Sequence, residues 1–182
     1  MTARPQRHLL ILGVIAMGVI VTASNFLVQF PINDWLTLGA LTYPVAFLVT
    51  DLTNRSLGPA AARRVIYVGF VLAVLLSILL ATPRIALASG TAFLAAQLLD
   101  VFVFNRLRRR VWWQAPLASS TLGSALDTAL FFALAFAFTP VPWVTLAIGD
   151  FWVKLAMAAL MLVPFRALVA YQIGRASCRE RV

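Results

Sequence analysis

The sequence predicts an all-α fold, an integral membrane bundle of six transmembrane helices with both termini in the cytoplasm, and three observations predict it. Hydrophobic residues make up 62% of the 182 and charged residues only 12%, against about 45–50% and about 25% in ordinary soluble domains. The apolar residues gather in long runs bounded by prolines. The basic residues fall at alternate ends of those runs. So few polar groups cannot cover a water-facing surface, and in a bilayer they need not, because the surrounding solvent is itself apolar.

A membrane helix needs roughly 20 mostly apolar residues, and six segments approach or exceed that. The first is Leu9–Phe30, 22 residues without a charge. It is too long for the apolar core of a cleaved secretory signal and reads as a retained span. The second, Trp35–Leu52, is the shortest and carries Pro44 inside it. A proline there removes a backbone donor, so it should kink the helix or break its hydrogen-bond ladder. The third is Ala61–Ala81, the fourth Ile85–Asn105, the fifth Pro116–Phe138 and the sixth Pro142–Leu162 or slightly beyond. Pro31, Pro59, Pro83, Pro116, Pro140 and Pro142 stand at the proposed ends, where a missing N–H is tolerated.

Six spans put both termini on one side. That side holds Arg4, Arg7, Arg55, Arg63, Arg64, Arg106, Arg108, Arg109, Arg110, Arg166, Arg175, Arg179 and Arg181, thirteen against the lone Arg84 opposite. The excess of basic residues marks the cytoplasmic face. This pattern accounts for the net charge of +9 as orientation and attraction to anionic lipid, and no nucleic-acid partner is expected. Residues 1–173 form a single domain. The closing stretch GRASCRERV, residues 174–182, is polar and basic, holds the only cysteine and the only glutamate, and reads as a vector- or adaptor-derived tail.

Several chemistries are excluded by inventory. One cysteine, Cys178, and one histidine, His8, make no disulfide and no His/Cys metal site, and no cofactor is expected. There is no GxSxG motif, P-loop or HExxH, so neither a hydrolase nor an ATP-driven pump is read here.

The informative residues are charges inside the spans: Asp51, Asp100, Asp127, Asp150 and Lys154. Each costs about 2.5–3.5 kcal/mol at the bilayer centre on insertion scales and is expected to face a partner or a cavity. Asp150 and Lys154 are spaced i, i+4 and can pair on one helix face. That pair either locks the sixth helix into the bundle or leaves Lys154 to balance Asp100 or Asp127 beside a substrate. Asp51, in TDLTN, either lies in a substrate site or closes a helix end through Asx-type hydrogen bonds. Gln97 lies one turn before Asp100 on the same face. A carboxylate accepts two parallel N–H bonds from a guanine-like edge, and an amide supplies a donor and an acceptor. Asn25, Thr42, Tyr43, Ser119, Ser120, Thr121 and Ser124 add polar groups. Phe47, Phe93, Phe102, Phe131 and Phe132 are candidates for stacking on a flat ring. LLDVFVF at Leu98–Phe104 faintly echoes ALDTALF at Ala125–Phe131, the kind of trace that inverted repeats leave in transporters.

LTYPVAFLVTDLTNRSLGPAAARRV (Leu41–Val65), AFLAAQLLDVFVF (Ala92–Phe104), STLGSALDTALFF (Ser120–Phe132) and VKLAMAALMLVPF (Val153–Phe165) resemble, in order, the conserved stretches of the queuosine precursor transporter family, also called the vitamin-uptake-transporter family. The resemblance implies a six-helix inner-membrane importer of 7-cyano- and 7-aminomethyl-7-deazaguanine, precursors for queuosine modification of tRNA. By position, Asp51 and Asn54 match the family's TDLTN element, Gln97 and Asp100 its Q-x-x-D element, Asp127 its LDT element and Lys154 its VK element. Arg55 stands where many members carry an acidic residue. The expected substrate-binding set is therefore Asp100, Gln97, Asp127, Lys154, Asn25, Tyr43 and Asp51. The expected ligand is a small 7-deazapurine, and the expected surroundings are membrane lipids. A stand-alone carrier, a substrate-binding subunit that needs an energising partner, and a self-associating protein are all compatible with these residues.

Overall fold

The computed structural model describes residues 3–27, 30–33, 36–80 and 82–179. Helix α1 spans Ala3–Leu27, followed by a small antiparallel hairpin, β1 (Pro31–Asn33) and β2 (Leu36–Thr37). Then come α2 (Leu38–Thr42), α3 (Val45–Leu57), α4 (Pro59–Leu80), α5 (Pro83–Leu107), α6 (Gln114–Phe136) and α7 (Trp143–Arg179). Among the described residues, five helices, α1, α4, α5, α6 and α7, are long and apolar enough to cross a membrane.

The second expected span is not one helix. Its Leu36 and Thr37 form the second strand of the hairpin, and its remainder is cut at Tyr43-Pro44 into α2 and α3. Across the cut the amides of Ala46 and Phe47 reach back only three residues, to the carbonyls of Tyr43 (2.9 Å) and Pro44 (3.1 Å). The proline therefore does break the ladder, as a ring without an N–H must. The last expected span also differs, because α7 runs 37 residues with Pro164 inside it. The helix continues into the stretch read as a tail.

The helix ends show why the prolines stand where they do. Pro59 and Pro83 open α4 and α5, and Pro116 sits in the first turn of α6, where a missing donor costs nothing. Thr82 caps α5 through its hydroxyl, which accepts from the Ile85 amide at 3.4 Å. One residue, Gly58, joins α3 to α4. Its φ of 86° is open to glycine and strained for other residues, and its N–H satisfies the Asn54 carbonyl.

Neighbouring helices pack α1 on α4, α4 on α5, α5 on α6 and α6 on α7. The short α3 touches α1, α4, α5, α6 and α7. It is the hub of the bundle, and its buried positions include Ala46, Phe47, Thr50, Asp51, Thr53 and Asn54. The outer helices turn their apolar side chains outward, as with Leu12, Ile15 and Val19 on α1 and Val71, Leu75 and Ile78 on α4. The buried interior mixes polar groups with Phe47, Phe93 and Phe104, while the outer surface is largely apolar, the arrangement that lipid stabilises.

Arginines fasten the ends. Arg55 donates to the Arg108 carbonyl (3.0 Å) and Arg108 donates to the Arg55 carbonyl (2.6 Å), a reciprocal clasp between the ends of α3 and α5. At the opposite end, Arg84 donates to the carbonyls of Leu134 (2.9 Å) and Ala137 (2.6 Å). It thereby satisfies carbonyls that the end of α6 leaves free.

Candidate functional site

The intramembrane charges do not meet at one point. They form two polar layers, stacked along α3 and α6 with an aromatic layer between them.

The first layer joins α3's start to α6 and α7. Lys154 donates to Asp127 (2.8 Å) and to Thr128 (3.2 Å), and it also pairs with Asp150 one turn earlier on α7. The Tyr43 hydroxyl donates to the other Asp127 oxygen (3.2 Å), and Thr128 donates to Asp150 (2.8 Å). The ammonium also lies 5.6 Å from the centre of the Tyr43 ring, within cation–π reach. All of Lys154's neighbours are fixed partners, so this layer is internally satisfied. Its two carboxylates and one ammonium leave a formal charge of −1.

The second layer lies between α3, α5 and α6. Asp51 accepts from Ser119 (3.2 Å) and Ser120 (3.4 Å). Asp100 faces Asp51 and Ser119, but the single Ser119 proton is directed to Asp51 and to the Pro116 carbonyl. The Asp51 and Asp100 carboxyls are within proton-sharing reach of each other, and no hydroxyl or amide donates to either Asp100 oxygen. Thr50 donates to the Gln97 carbonyl oxygen (2.7 Å), which leaves the Gln97 NH2 group unpartnered. Asn54 donates to the Val101 carbonyl (3.3 Å) with its own amide oxygen unpartnered, and the Ser124 hydroxyl is also without a partner. Gln97, Asp100 and Asn54 are 0% exposed. Buried polar groups are nearly always hydrogen-bonded, so this cluster of donors and acceptors without protein partners makes the layer the candidate site.

Ser119 and Ser120 lie seven to eight residues before Asp127 on α6, which separates the layers by roughly 10–12 Å at 1.5 Å per residue. Phe47 and Phe93 fill the gap. Both stand edge-on to Tyr43, with ring centres 6.4 and 6.2 Å away. Phe47 presses on Gly123, where a Cβ would fall 2.7 Å from its ring and 3.2 Å from the Ala96 carbonyl. Only a residue without a side chain lets α6 come this close to the Phe47 ring and to the α5 backbone.

The expected residues thus divide. Asp51, Gln97 and Asp100 converge in one layer, and Tyr43, Asp127 and Lys154 in the other. Asp100 and Asp127, expected to hold one ligand together, lie in different layers. Asp51 is no Asx-type helix end: it sits inside α3, six residues before Leu57, because TDLTN continues the helix. The side chain of Asn25, on α1, lies outside the described residues. Thr42 bonds with Ser24 (3.1 Å) instead of facing the polar layers. Phe131 and Phe132 pack with each other and with Phe136, and Phe102 is exposed beside Arg106. Sequence reasoning passed over Gly123 and Thr128. The small residues of STLGSALD were the available signal for the first, and its place next to Asp127 for the second.

Residues 37–169 match the family described as "Putative vitamin uptake transporter". The chain belongs to the vitamin uptake transporter family. The matched residues contain α2 to α6 and most of α7, and with them both polar layers. The chain is 36% identical to "Queuosine precursor transporter" of Escherichia coli, across 80% of this chain and 79% of that protein. It is 36% identical to "Probable queuosine precursor transporter" of Haemophilus influenzae, across 86% and 84%. A protein of the same description from Bacillus subtilis is 28% identical across 69% and 68%. No solved structure matches the chain. Family and helices together make this a multi-pass membrane transporter and not an enzyme.

Proposed function

We propose that this protein imports queuosine precursors, 7-cyano- and 7-aminomethyl-7-deazaguanine, across the bacterial inner membrane. In this reading α2 and α3 together make the second of six spans. Residues 38–57 number 20 and reach about 30 Å at helical rise, the thickness of the hydrocarbon core. Both termini and the Arg-rich ends then face the cytoplasm.

The observation that carries the substrate reading is the unsatisfied layer around Asp100. A 7-deazaguanine presents an N–H and an NH2 side by side, next to a carbonyl. The free Asp100 oxygens match the two donors, and the free Gln97 NH2 matches the carbonyl. Asp51, held by Ser119 and Ser120, adds a second carboxyl that suits the aminomethyl substituent of one precursor. Phe47 and Phe93 offer ring faces for stacking as the helices part. Asp127, Lys154 and Tyr43 border the route and balance its charge. Alternating access would work by separating α3 from α5 and α6 around this layer, with the Tyr43-Pro44 break as the flexible joint.

The test is complementation in bacteria that lack both precursor synthesis and their own transporter. Each 7-deazaguanine is fed at low concentration and queuosine is measured in tRNA. Restored queuosine that disappears with Asp100→Asn, at equal membrane abundance, is the expected result. Failure of the inserted wild-type chain to restore it with either precursor would overturn the substrate assignment.

A further inference from the structure

We infer that the Arg-rich end of the bundle holds a specific site for an acidic phospholipid, in a pocket separate from both polar layers. The pocket has a volume of about 190 Å3 and opens between the ends of α3 and α5, the start of α6 and residues 165–170 of α7. Arg55, Arg108 and Arg166 line it. Their positions are set without any carboxylate. Arg55 and Arg108 are clasped through each other's main-chain carbonyls, and the Arg166 guanidinium stacks 4.8 Å from the centre of the Trp112 ring. None of the three makes an ion pair with a carboxylate among the described residues.

Three pre-oriented guanidiniums around one concavity suit a phosphate-type anion, which they meet with planar, paired N–H donors. Free phosphate and a lipid headgroup share that chemistry, and the rest of the pocket favours the lipid. Phe104 and Phe165 meet edge-on at 6.1 Å between ring centres, and with Val169 they make an apolar wall. A cationic rim over an apolar wall fits an amphiphile. Basic pockets between helices at this side of a membrane are where acidic headgroups settle. Bound there, the lipid would bridge α7 to the ends of α3 and α5 and so stabilise the folded bundle by mass action.

The test uses the purified full chain in nanodiscs of phosphatidylcholine alone or with phosphatidylglycerol, with thermal unfolding as the readout. Phosphatidylglycerol should raise the melting temperature of the wild type, and inorganic phosphate added to phosphatidylcholine discs should not. Arg166→Gln, which removes the guanidinium stacked on Trp112, should lose most of the lipid-dependent rise. Val169→Trp should lose it too by filling the pocket with no change of charge, so the inference stays testable if one variant folds poorly. Arg63→Gln, an exposed charge on the same side outside the pocket, should keep the full rise. Equal rises in all four proteins would mean diffuse surface attraction and would overturn the site. A rise with inorganic phosphate as large as with the lipid would overturn the lipid assignment.

Discussion

The two polar layers contain similar residues and are built on opposite plans. Around Lys154, every charge has a partner of opposite sign, and the tyrosine and threonine hydroxyls fill the remaining positions. Around Asp100, two carboxyls adjoin with no cation among the described residues, and orphaned amide and hydroxyl groups surround them. Removing one member of a buried, paired set leaves an uncompensated charge, whereas buried groups without a protein partner call for a ligand, a water or an ion. On the proposed function, the first layer fastens the helices and the second receives the substrate.

The largest expected effect comes from breaking the satisfied layer. Lys154→Met leaves Asp127 and Asp150 buried without their cation, at a cost of about 3–5 kcal/mol. It should be seen as loss of folded protein after detergent extraction. Adding Asp127→Asn and Asp150→Asn to that variant removes the uncompensated charge and should recover most of the folded protein. If the triple variant stays as unstable as the single one, the layer's role is not charge pairing.

Asp100→Asn should behave the other way. It removes one of two adjoining carboxyls and leaves a side chain of nearly the same shape. Stability should therefore hold within about 1 kcal/mol while uptake falls to background. A thermal melt beside the uptake assay checks both. Loss of stability comparable to that of Lys154→Met would erase the distinction between the layers.

Gly123→Ala tests the aromatic layer between them. The new Cβ collides with the Phe47 ring and crowds the Ala96 carbonyl, an overpacking worth about 1–3 kcal/mol. Phe47→Leu in the same chain should recover part of it, by thermal melting. The smallest effect belongs to the periphery. Arg84→Gln gives up the clasp on the end of α6 and should cost about 1–2 kcal/mol, one net hydrogen bond or two, with substrate affinity unchanged in a binding assay.

Hydropathy and proline positions made most of the fold legible. Four of the expected spans reappear as α1, α4, α5 and α6 with ends shifted by a few residues, and α7 extends the sixth. Pro44 announced the break that it makes. The hub role of α3 was not legible, because a 13-residue segment that carries Asp51, Thr53 and Asn54 looks like the weakest span by hydropathy. It is polar because it is central. In water, amphipathic spacing shows which face of a helix turns inward; in a bilayer the outward face is apolar too, and that signal fades. For the same reason the charges could be named from the sequence but not sorted. Lys154 was compatible with Asp100, Asp127 or Asp150; the last lies one turn away on its own helix, and only the packing of α6 on α7 joins it to Asp127. Gly123 was invisible as a contact, since its importance lies in the ring of Phe47, 76 positions earlier in the chain.

Equilibrium binding of radiolabelled 7-cyano-7-deazaguanine to the purified chain tests the central claim most directly. The wild type would be compared with Asp100→Asn and with the triple variant that neutralises Lys154, Asp127 and Asp150. Saturable binding that is lost in Asp100→Asn, yet kept within about tenfold by the folded triple variant, a difference of about 1.4 kcal/mol, is the predicted result. Binding that survives Asp100→Asn and vanishes in the triple variant would place the substrate in the other layer and contradict the account.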